Sequence, residues 1–549
     1  MPPGEHAALA DPAGPTPQER LLLPRLARAA TLSAAPLSAA EHALLHAYEL
    51  KRDLQDGRSV TSEDVERLIA EADAAGYAEA VRAGLLLDIV RDFCETSVWP
   101  CVSGIERLLE RAAADGSTTG TALALALRGQ LPAQQEDTGS LGGPDDDLTR
   151  ASVMLEGLEG PSIERASAHL ECARGYLNRG LWELELRHYE AAEAALVGCA
   201  GAQFVMPAIL FNRAETLMNW CTFLRERGPC ELPADRVASA RAALDEADVD
   251  LVPASWRTEL RIFGALLDAI VDPALTPVPS EPDPDHEYAG HVHLTRALIA
   301  CDREHGSREV ATREIGLALE RIDPNEASHA HRLALCIAAE IEAEGLGRPG
   351  AGLHYARVLV EMRWQTRLAG LAAMRSRLDV ERMREEHARL DRHAHLDELT
   401  GLANRRALGR YVEDLTERGV DQVSFAVLDL DCFKGVNDRY GHHVGDEMLR
   451  HVARILRGSI REQDIAVRLG GDEFLLVMPH LSPEIAHRRG TEVVAAIATA
   501  DWGQIAAGLA VTSSLGLAAG HPRQAQDLIV AADAALYRAK AAGGNRVLR

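Results

Sequence analysis

From residue 397 onward, short apolar runs alternate with amphipathic stretches, and this alternation limits the available folds more than any other feature of the chain. SFAVLDL (424–430), IAVRL (465–469), FLLVMP (474–479) and LAVTSSLGLA (509–518) have the apolar density of buried strands. GDEMLRHVARILRGSI (445–460) has the spacing of a one-sided helix. Strands separated by helices define a sheet domain of the α/β or α+β class.

The first two-thirds reads differently. It is rich in alanine and leucine, poor in β-branched runs, and repeats helical spacing up to about residue 350. In TSEDVERLIAEADAAG (61–76), Thr61 or Ser62 can cap and acids fill the first turn. Val65, Leu68, Ile69 and Ala72 share one face, and Gly76 ends the helix. Two Pro-, Gly- and acid-rich segments, 134–147 and 275–287, read as linkers. In ARGYLNRGLWELELRHYEAAEAAL (173–196), Ala173, Tyr176, Gly180, Tyr189 and Ala192 fit a tetratricopeptide-type helical pair, and an ordinary helical hairpin fits equally. Glu185 departs from that pattern, standing where a small alanine is usual. Between 352 and 396 one long helix is expected. Trp364, Leu368, Leu371, Met374 and Leu378 follow near-heptad spacing, resumed by Met383, Leu390 and Ala394. The seam suits a parallel coiled coil with a stutter, or packing on the helix's own domain.

The organisation expected is therefore multidomain: a disordered N-terminus (1–16), a helical domain (17–133), a linker (134–147), and an all-α, α-solenoid or tetratricopeptide-like domain (148–351). A connecting helix (352–396) and a C-terminal α+β domain (397–549) complete it. The net charge of −25 argues against a broad phosphate-binding surface, so nucleic acid is not expected as a partner. The nine cysteines are scattered with no CxxC pair, which supports neither a zinc site nor a disulfide framework. MPPGEHAALADPAG lacks a signal-peptide layout, and AALVGCAGAQFVMPAILF (194–211) is broken by Gln203, Pro207 and two glycines. No membrane span is expected there, but two helix ends joined by a turn. A cytoplasmic protein is the expectation.

The candidate chemistry centres on RLGGDEFLLV (468–477). Gly-Gly followed by an acid is an ordinary hairpin signal. Paired with the strand end carrying Asp429 and Asp431, however, the hairpin tip offers a carboxylate pair, Asp429 and Asp472, of the hard oxygen type that Mg²⁺ prefers. Downstream, Asn437, His442 and Asp446 lie in a segment broken by Gly441 and Gly445, and Lys434 adds a compact positive charge. An aspartate can accept from the N1–H and N2–H₂ of a guanine edge, and an asparagine can both donate and accept. A capped turn between helices would account for Asn437 and Asp446 alone.

DELTGLANRRAL (397–408), DLDCFKGVNDRYGHHVGDEML (429–449), RLGGDEF (468–474), VTSSLGLA (511–518) and ADAALYRAK (532–540) occur in the order and spacing of GGDEF domains, the diguanylate cyclases. The region resembles that family over nearly all of 397–549. The resemblance implies a ferredoxin-like, palm-type fold that condenses two GTP into cyclic di-GMP and two pyrophosphates. It implies two Mg²⁺ per site, with Mn²⁺ as an alternative, held by the Asp429 and Asp472 carboxylates and the Leu430 carbonyl. Asn437, His442 and Asp446 would hold the guanosine. The backbone at Cys432 and Phe433, with Lys434 and Lys540, would steady the phosphates. Asp472 and Glu473 would help deprotonate the ribose 3′-OH. Each domain would hold one GTP, so a homodimer is required. Arg461 and Asp464 match an RxxD inhibitory site for the product. Two departures stand out: Cys432 replaces a usual phenylalanine, and Gly544 replaces a phosphate-contacting arginine, with Arg546 nearby. The alternative expectation is a weak or inactive GGDEF protein serving as a cyclic di-GMP receptor or as a scaffold for a protein partner of the helical domain.

Overall fold

Alanine and leucine at helical spacing yield a succession of helices from Ala39 to Leu346, with turns between them, in the computed structural model. The structure describes residues 37–549 apart from 56, 97–101, 132–142, 229–231, 248–251, 284–285, 287, 302–305 and 324–328. The segment expected to be disordered (1–16), Cys101 and part of both expected linkers lie outside the described residues. The chain divides into two compact units, Met1–Arg382 and Met383–Arg549. No helix among the described residues is long and apolar enough to cross a membrane.

Local signals in the first unit act as their chemistry dictates. Thr61 caps the helix Ser62–Ala74 in a reciprocal capping box with Asp64, and that helix buries Val65, Leu68 and Ala72. Residues 144–147 open the helix Pro144–Glu156 rather than continuing a linker. Proline suits a first helical turn, where its missing N–H costs nothing, and Asp145, Asp146 and Asp147 there favour the positive end of the helix dipole. The 194–211 stretch is two helices joined by a turn, as expected, but Pro207 lies inside the second, Ala202–Arg227. The carbonyl that proline leaves unbonded, that of Gln203, accepts from Arg52 Nη1 at 3.4 Å.

The helices Ile163–Leu177 and Trp182–Leu196 form a hairpin that buries Ala173, Tyr176, Tyr189 and Ala192. Glu185 is wholly buried in it. Its carboxyl accepts from Tyr189 Oη at 2.9 Å and Thr216 Oγ1 at 2.5 Å. Burial pushes it up to about 8, so at neutral pH it is mostly an uncharged acid.

The long helix spans Ala351–Ala394. Its expected seam is filled by its own unit: Leu371, Met374 and Leu378 belong to the core that includes Tyr176, Leu181 and Leu184, while Trp364 packs on Phe223 and Trp182's cluster. These residues are therefore not a coiled-coil seam. A second row, Tyr355, Leu359, Met362 and Val380, is exposed, and Met383 and Leu390 in the part belonging to the second unit are exposed as well. Numerically this row keeps alternating steps of four and three, with Thr366, Ala369, Ala373, Ser376 and His387 at the intervening positions.

Elements of the second unit are labelled α1 (Arg405–Glu417), β1 (Val423–Leu430), α2 (Phe433–Tyr440), α3 (His442–Ser459), β2 (Ile465–Gly470), β3 (Glu473–Pro479), α4 (Pro483–Thr499), β4 (Ser513–Gly520), α5 (Ala525–Ala541) and β5 (Val547–Leu548). The five strands are ordered β2-β3-β1-β4-β5. All neighbours are antiparallel except β4 and β5. The first four strands with their crossovers give the ferredoxin-like order, so the fold is α+β. Strand alternation sorts the core. Ala426, Leu428, Phe474 and Leu476 pack with Leu449 and Val452 of α3 and Val493 and Ile497 of α4. Phe425, Val427, Leu475 and Val477 pack with Leu415 of α1 and Leu536 of α5.

Burial of the Leu371 row within its own unit carries a direct expectation. Leu371→Ala lowers the stability of the helical unit by about 2–5 kcal/mol, and in urea unfolding the loss is independent of protein concentration. A loss that vanishes on dilution would instead mean that a second chain covers this row.

Candidate active site

The β1–β3 register puts Asp429 directly opposite Glu473 and, on the other side, opposite Ser514. Residues 425 and 427 of β1 and 475 and 477 of β3 point to the α5 side, so Asp429 and Glu473 continue that face beyond the core. Asp429 is buried, 7% exposed, and Lys540 Nζ, from the last turn of α5, approaches its Oδ1 at 2.6 Å. Burial and the neighbouring Asp472 and Glu473 charges push the Asp429 carboxyl up, against the opposing pull of Lys540. Asp472 sits at the hairpin tip, its carbonyl accepting from Leu430 N–H at 3.4 Å. Gly470 (φ 149°) and Gly471 (φ 53°) make this tip, in backbone conformations that side-chain-bearing residues rarely adopt.

The tip is clamped by Arg468, a residue to which the sequence reading gave no role. Its guanidinium donates to the Gly471 carbonyl at 2.8 and 3.1 Å and to both Asp397 oxygens at 2.9 and 3.2 Å. Asp397 in turn accepts from Thr400 N–H and Oγ1 at 2.9 and 2.7 Å. The DELTGL segment is thereby tied to the carboxylate-bearing turn. The one available signal was an arginine placed directly before the turn in an otherwise apolar strand.

Beyond Leu430 the chain turns through Cys432 (φ 60°) into α2, with Cys432 and Lys434 exposed and Phe433 half-buried. Asn437 on α2 lies over Gly445 of α3, so closely that a Cβ at 445 would fall 2.0 Å from its Oδ1. That Oδ1 is buried without a hydrogen-bond partner. His442, exposed, opens α3, and Asp446, half-buried, follows Gly445. The packing of α2 on α3 thus brings Asn437 against Gly445, the residue before Asp446.

Asp431 has a different part. Its carboxylate accepts from Thr512 Oγ1 at 2.8 Å, Ser514 Oγ at 2.7 Å and Asn545 N–H at 3.0 Å, fastening the end of β1 to β4 and the C-terminal turn. Gly544 in that turn has φ 71°, and a Cβ there would come within 3.1–3.2 Å of the Asp431 carboxylate. Arg546 folds back, its Nε donating to the Gly544 carbonyl at 3.0 Å.

Arg461 and Asp464 stand apart from all of these. Asp464 is covered completely, accepting from Arg461 Nε at 3.1 Å and Nη2 at 2.7 Å, and Arg461 Nη2 also donates to the Pro479 carbonyl at 3.1 Å. This pair lies at the end of the β2–β3 hairpin opposite the glycine turn, one strand length away, or roughly 20 Å at about 3.3 Å per residue.

The donor set suits a divalent cation. Two carboxylates and a main-chain carbonyl are hard oxygens, and Asp429, buried among like charges, has Lys540 as its one cationic partner among the described residues. Among the described residues no three His, Cys, Asp or Glu side chains form a ready cage.

Comparison with known proteins finds relatives over the C-terminal unit. Residues 394–546 match the family described as "Diguanylate cyclase, GGDEF domain". Diguanylate cyclase VdcA of Vibrio cholerae is 37% identical over 175 residues, 31% of this chain and 51% of that protein. Response regulator PleD of Caulobacter vibrioides is 35% identical over 159 residues, 28% of this chain and 35% of its own. The chain thus spans about half or less of the length of these relatives. A crystal structure of the coiled coil and GGDEF domain of DgcB from Caulobacter crescentus, in complex with c-di-GMP, is 32% identical. It covers 34% of this chain and 98% of that one, with a TM-score of 0.29. Residues 394–546 form a GGDEF domain, with diguanylate cyclases among its relatives.

The Arg468 clamp predicts an acid-sensitive contribution. Burial pushes the Asp397 carboxyl up, but the Thr400 hydrogen bonds and Arg468 outweigh it and hold it below the ordinary range. A carboxylate depressed in the fold stabilises above its unfolded pKa, about 3.9, and that stability is lost as pH falls through the folded value. Arg468→Gln should therefore cost about 2 kcal/mol at pH 7. In urea unfolding the gap between variant and parent should narrow below about pH 4, whereas a gap that widens there contradicts the clamp.

Proposed function

We propose that the chain is a diguanylate cyclase condensing two GTP into cyclic di-GMP and two pyrophosphates. The observation that carries this reading is the placement of Asp429, Asp472 and Glu473 at one strand end and turn, with Lys540 paired to Asp429, together with an Asn437 oxygen on the following helix that is buried without a partner. In this reading Asp429, Asp472 and the Leu430 carbonyl hold Mg²⁺, or Mn²⁺ in its place. A metal held by these groups would supply polarisation of the α-phosphate and a lowered pKa for the attacking hydroxyl.

The chain's own groups do the remainder. Asn437 and Asp446 receive the guanine edge, with His442 at the rim. Lys434 and the N–H groups at Cys432 and Phe433, at the start of α2, meet the phosphates. Lys540 can exchange its bond to Asp429 for a phosphate oxygen. Glu473, with Asp472 beside it, accepts the proton of the ribose 3′-OH as that oxygen bonds to the α-phosphorus of the second GTP and pyrophosphate leaves. Positioning dominates such transfers, and a misplacement of about 1 Å can cost a hundredfold.

Two GTP-loaded domains must face each other, so the proposal includes a homodimer. Its seam is the exposed row Tyr355, Leu359, Met362, Val380, Met383 and Leu390, since the expected row is occupied within its own unit. The helical unit, of tetratricopeptide-like hairpins in this reading, would sense a signal or hold a protein partner. Product inhibition at Arg461 is part of the proposal: the arginine is the accessible member, and Asp464 orients it.

Purified chain with Mg²⁺ and GTP should yield cyclic di-GMP, and Glu473→Gln should lower turnover at least about a hundredfold. Absence of product at any protein concentration would reject the reading. Leu359→Glu combined with Met383→Glu should cut specific activity at low micromolar protein and recover it at high concentration. Activity independent of concentration in that variant would place the dimer seam elsewhere.

A further inference from the structure

The helical unit contains a charge that its protein surroundings leave unanswered. A cleft of about 280 Å³ opens among the helices Pro144–Glu156, Ile163–Leu177, Trp182–Leu196 and Ala351–Ala394. Arg165 lines it, only 8% exposed, and the one hydrogen bond of its guanidinium among the described residues is to the Gly160 carbonyl. Two acids beside it, Glu164 and Glu156, are already engaged. Glu164 is paired with Arg82 at 2.6 Å, and both Glu156 oxygens are held by Arg382 at 2.6 and 2.8 Å. Arg187 also lines the cleft, near its mouth, with no partner among the described residues. A buried guanidinium without a counter-charge is costly, and an anion placed beside it removes that cost.

The rest of the lining says what kind of anion. His169 and His188 meet through their Nδ1 atoms at 3.0 Å, and Tyr176 stacks on His188 with ring centroids 5.4 Å apart. Burial, with the Arg165 charge adding to it, pushes His169 down to about 4, so the imidazoles are neutral and the positive charge comes from arginine alone. The Nδ1 contact makes one ring the donor and the other the acceptor, and neither Nε2 has a protein partner among the described residues. Leu155, Leu184 and Leu378 supply an apolar wall. The volume is slightly below the roughly 300 Å³ at which small-molecule sites begin, enough for one ring or a short chain.

We propose that this cleft binds a small organic anion, with its carboxylate or phosphate head on Arg165 and Arg187 and its apolar body against Leu155, Leu184 and Leu378. Leu378 and Arg382 come from the long helix that continues into the C-terminal unit, so the occupant touches the element joining the two. Binding itself does not depend on the cyclase reading.

Thermal unfolding of the full chain, with millimolar phenylacetate, phenyl phosphate, inorganic phosphate or chloride, tests the proposal. A saturable rise in the midpoint with phenylacetate or phenyl phosphate is expected, and whichever is effective identifies the head group. Arg187→Gln should weaken that apparent affinity about tenfold or more, as expected for losing a charged hydrogen bond. Ala191→Phe, filling the cleft, should abolish the rise while the unliganded protein still melts cooperatively. Arg165→Gln is a second probe of the head-group site. No saturable rise with either organic anion overturns the proposal. So does a rise produced only by inorganic phosphate or chloride, or one unchanged in Arg187→Gln and Ala191→Phe. Because the readout is unfolding, failure here leaves GTP turnover untouched, and failed turnover leaves this result untouched.

Discussion

Like-charge crowding at the end of β1 is the constraint on which the C-terminal unit turns. Asp429 is buried, faces Glu473 across the ladder, and lies close to Asp472, with Lys540 as its compensation. The arrangement is imposed by the core. Phe425, Val427, Leu475 and Val477 fix which face of β1 and β3 looks toward α5, and the next position on each strand inherits that direction. A one-residue slip between the strands would send Asp429 to the other side of the sheet and expose four core side chains. The apolar energy of the sheet thus holds together charges that would otherwise repel.

Both units become intelligible by asking which charges the protein answers itself. Asp431 has three donors, Asp397 has Arg468 and Thr400, and Asp464 has the fork of Arg461. These acids are structural, and each secures a turn or strand end. Asp429 and the Asn437 oxygen are provided for only partly or not at all. In the helical unit Glu164, Asp147 and Glu156 are paired with arginines, whereas Arg165 keeps only a carbonyl.

Much of this was legible before any coordinates. Strand alternation gave the sheet, and the Thr61 to Gly76 stretch gave a capped helix with its buried face, because both follow from local periodicity. The carboxylates and the polar residues of α2 and α3 were legible through motif spacing. Other features depend on partners distant in sequence. Near-heptad spacing could not reveal that Leu371 and Leu378 are covered by Tyr176, Leu181 and Leu184, so the exposed row on the same helix went unnoticed. The chain could not show that Arg52 would receive the carbonyl freed by Pro207, nor that Arg468 would reach Asp397. Glu185 looked like a departure from a repeat pattern. Only the fold shows it to be a neutral acid between Tyr189 and Thr216.

The central claim is that a strand-end carboxylate and a turn carboxylate together require a divalent cation to receive a guanine nucleotide. Calorimetric titration of the full chain with a non-hydrolysable GTP analogue tests it most directly. The account predicts saturable heat in the presence of Mg²⁺, loss of that heat in excess chelator, and loss in Asp429→Asn with Mg²⁺ present. Saturable binding that persists unchanged in chelator and in the variant would contradict it.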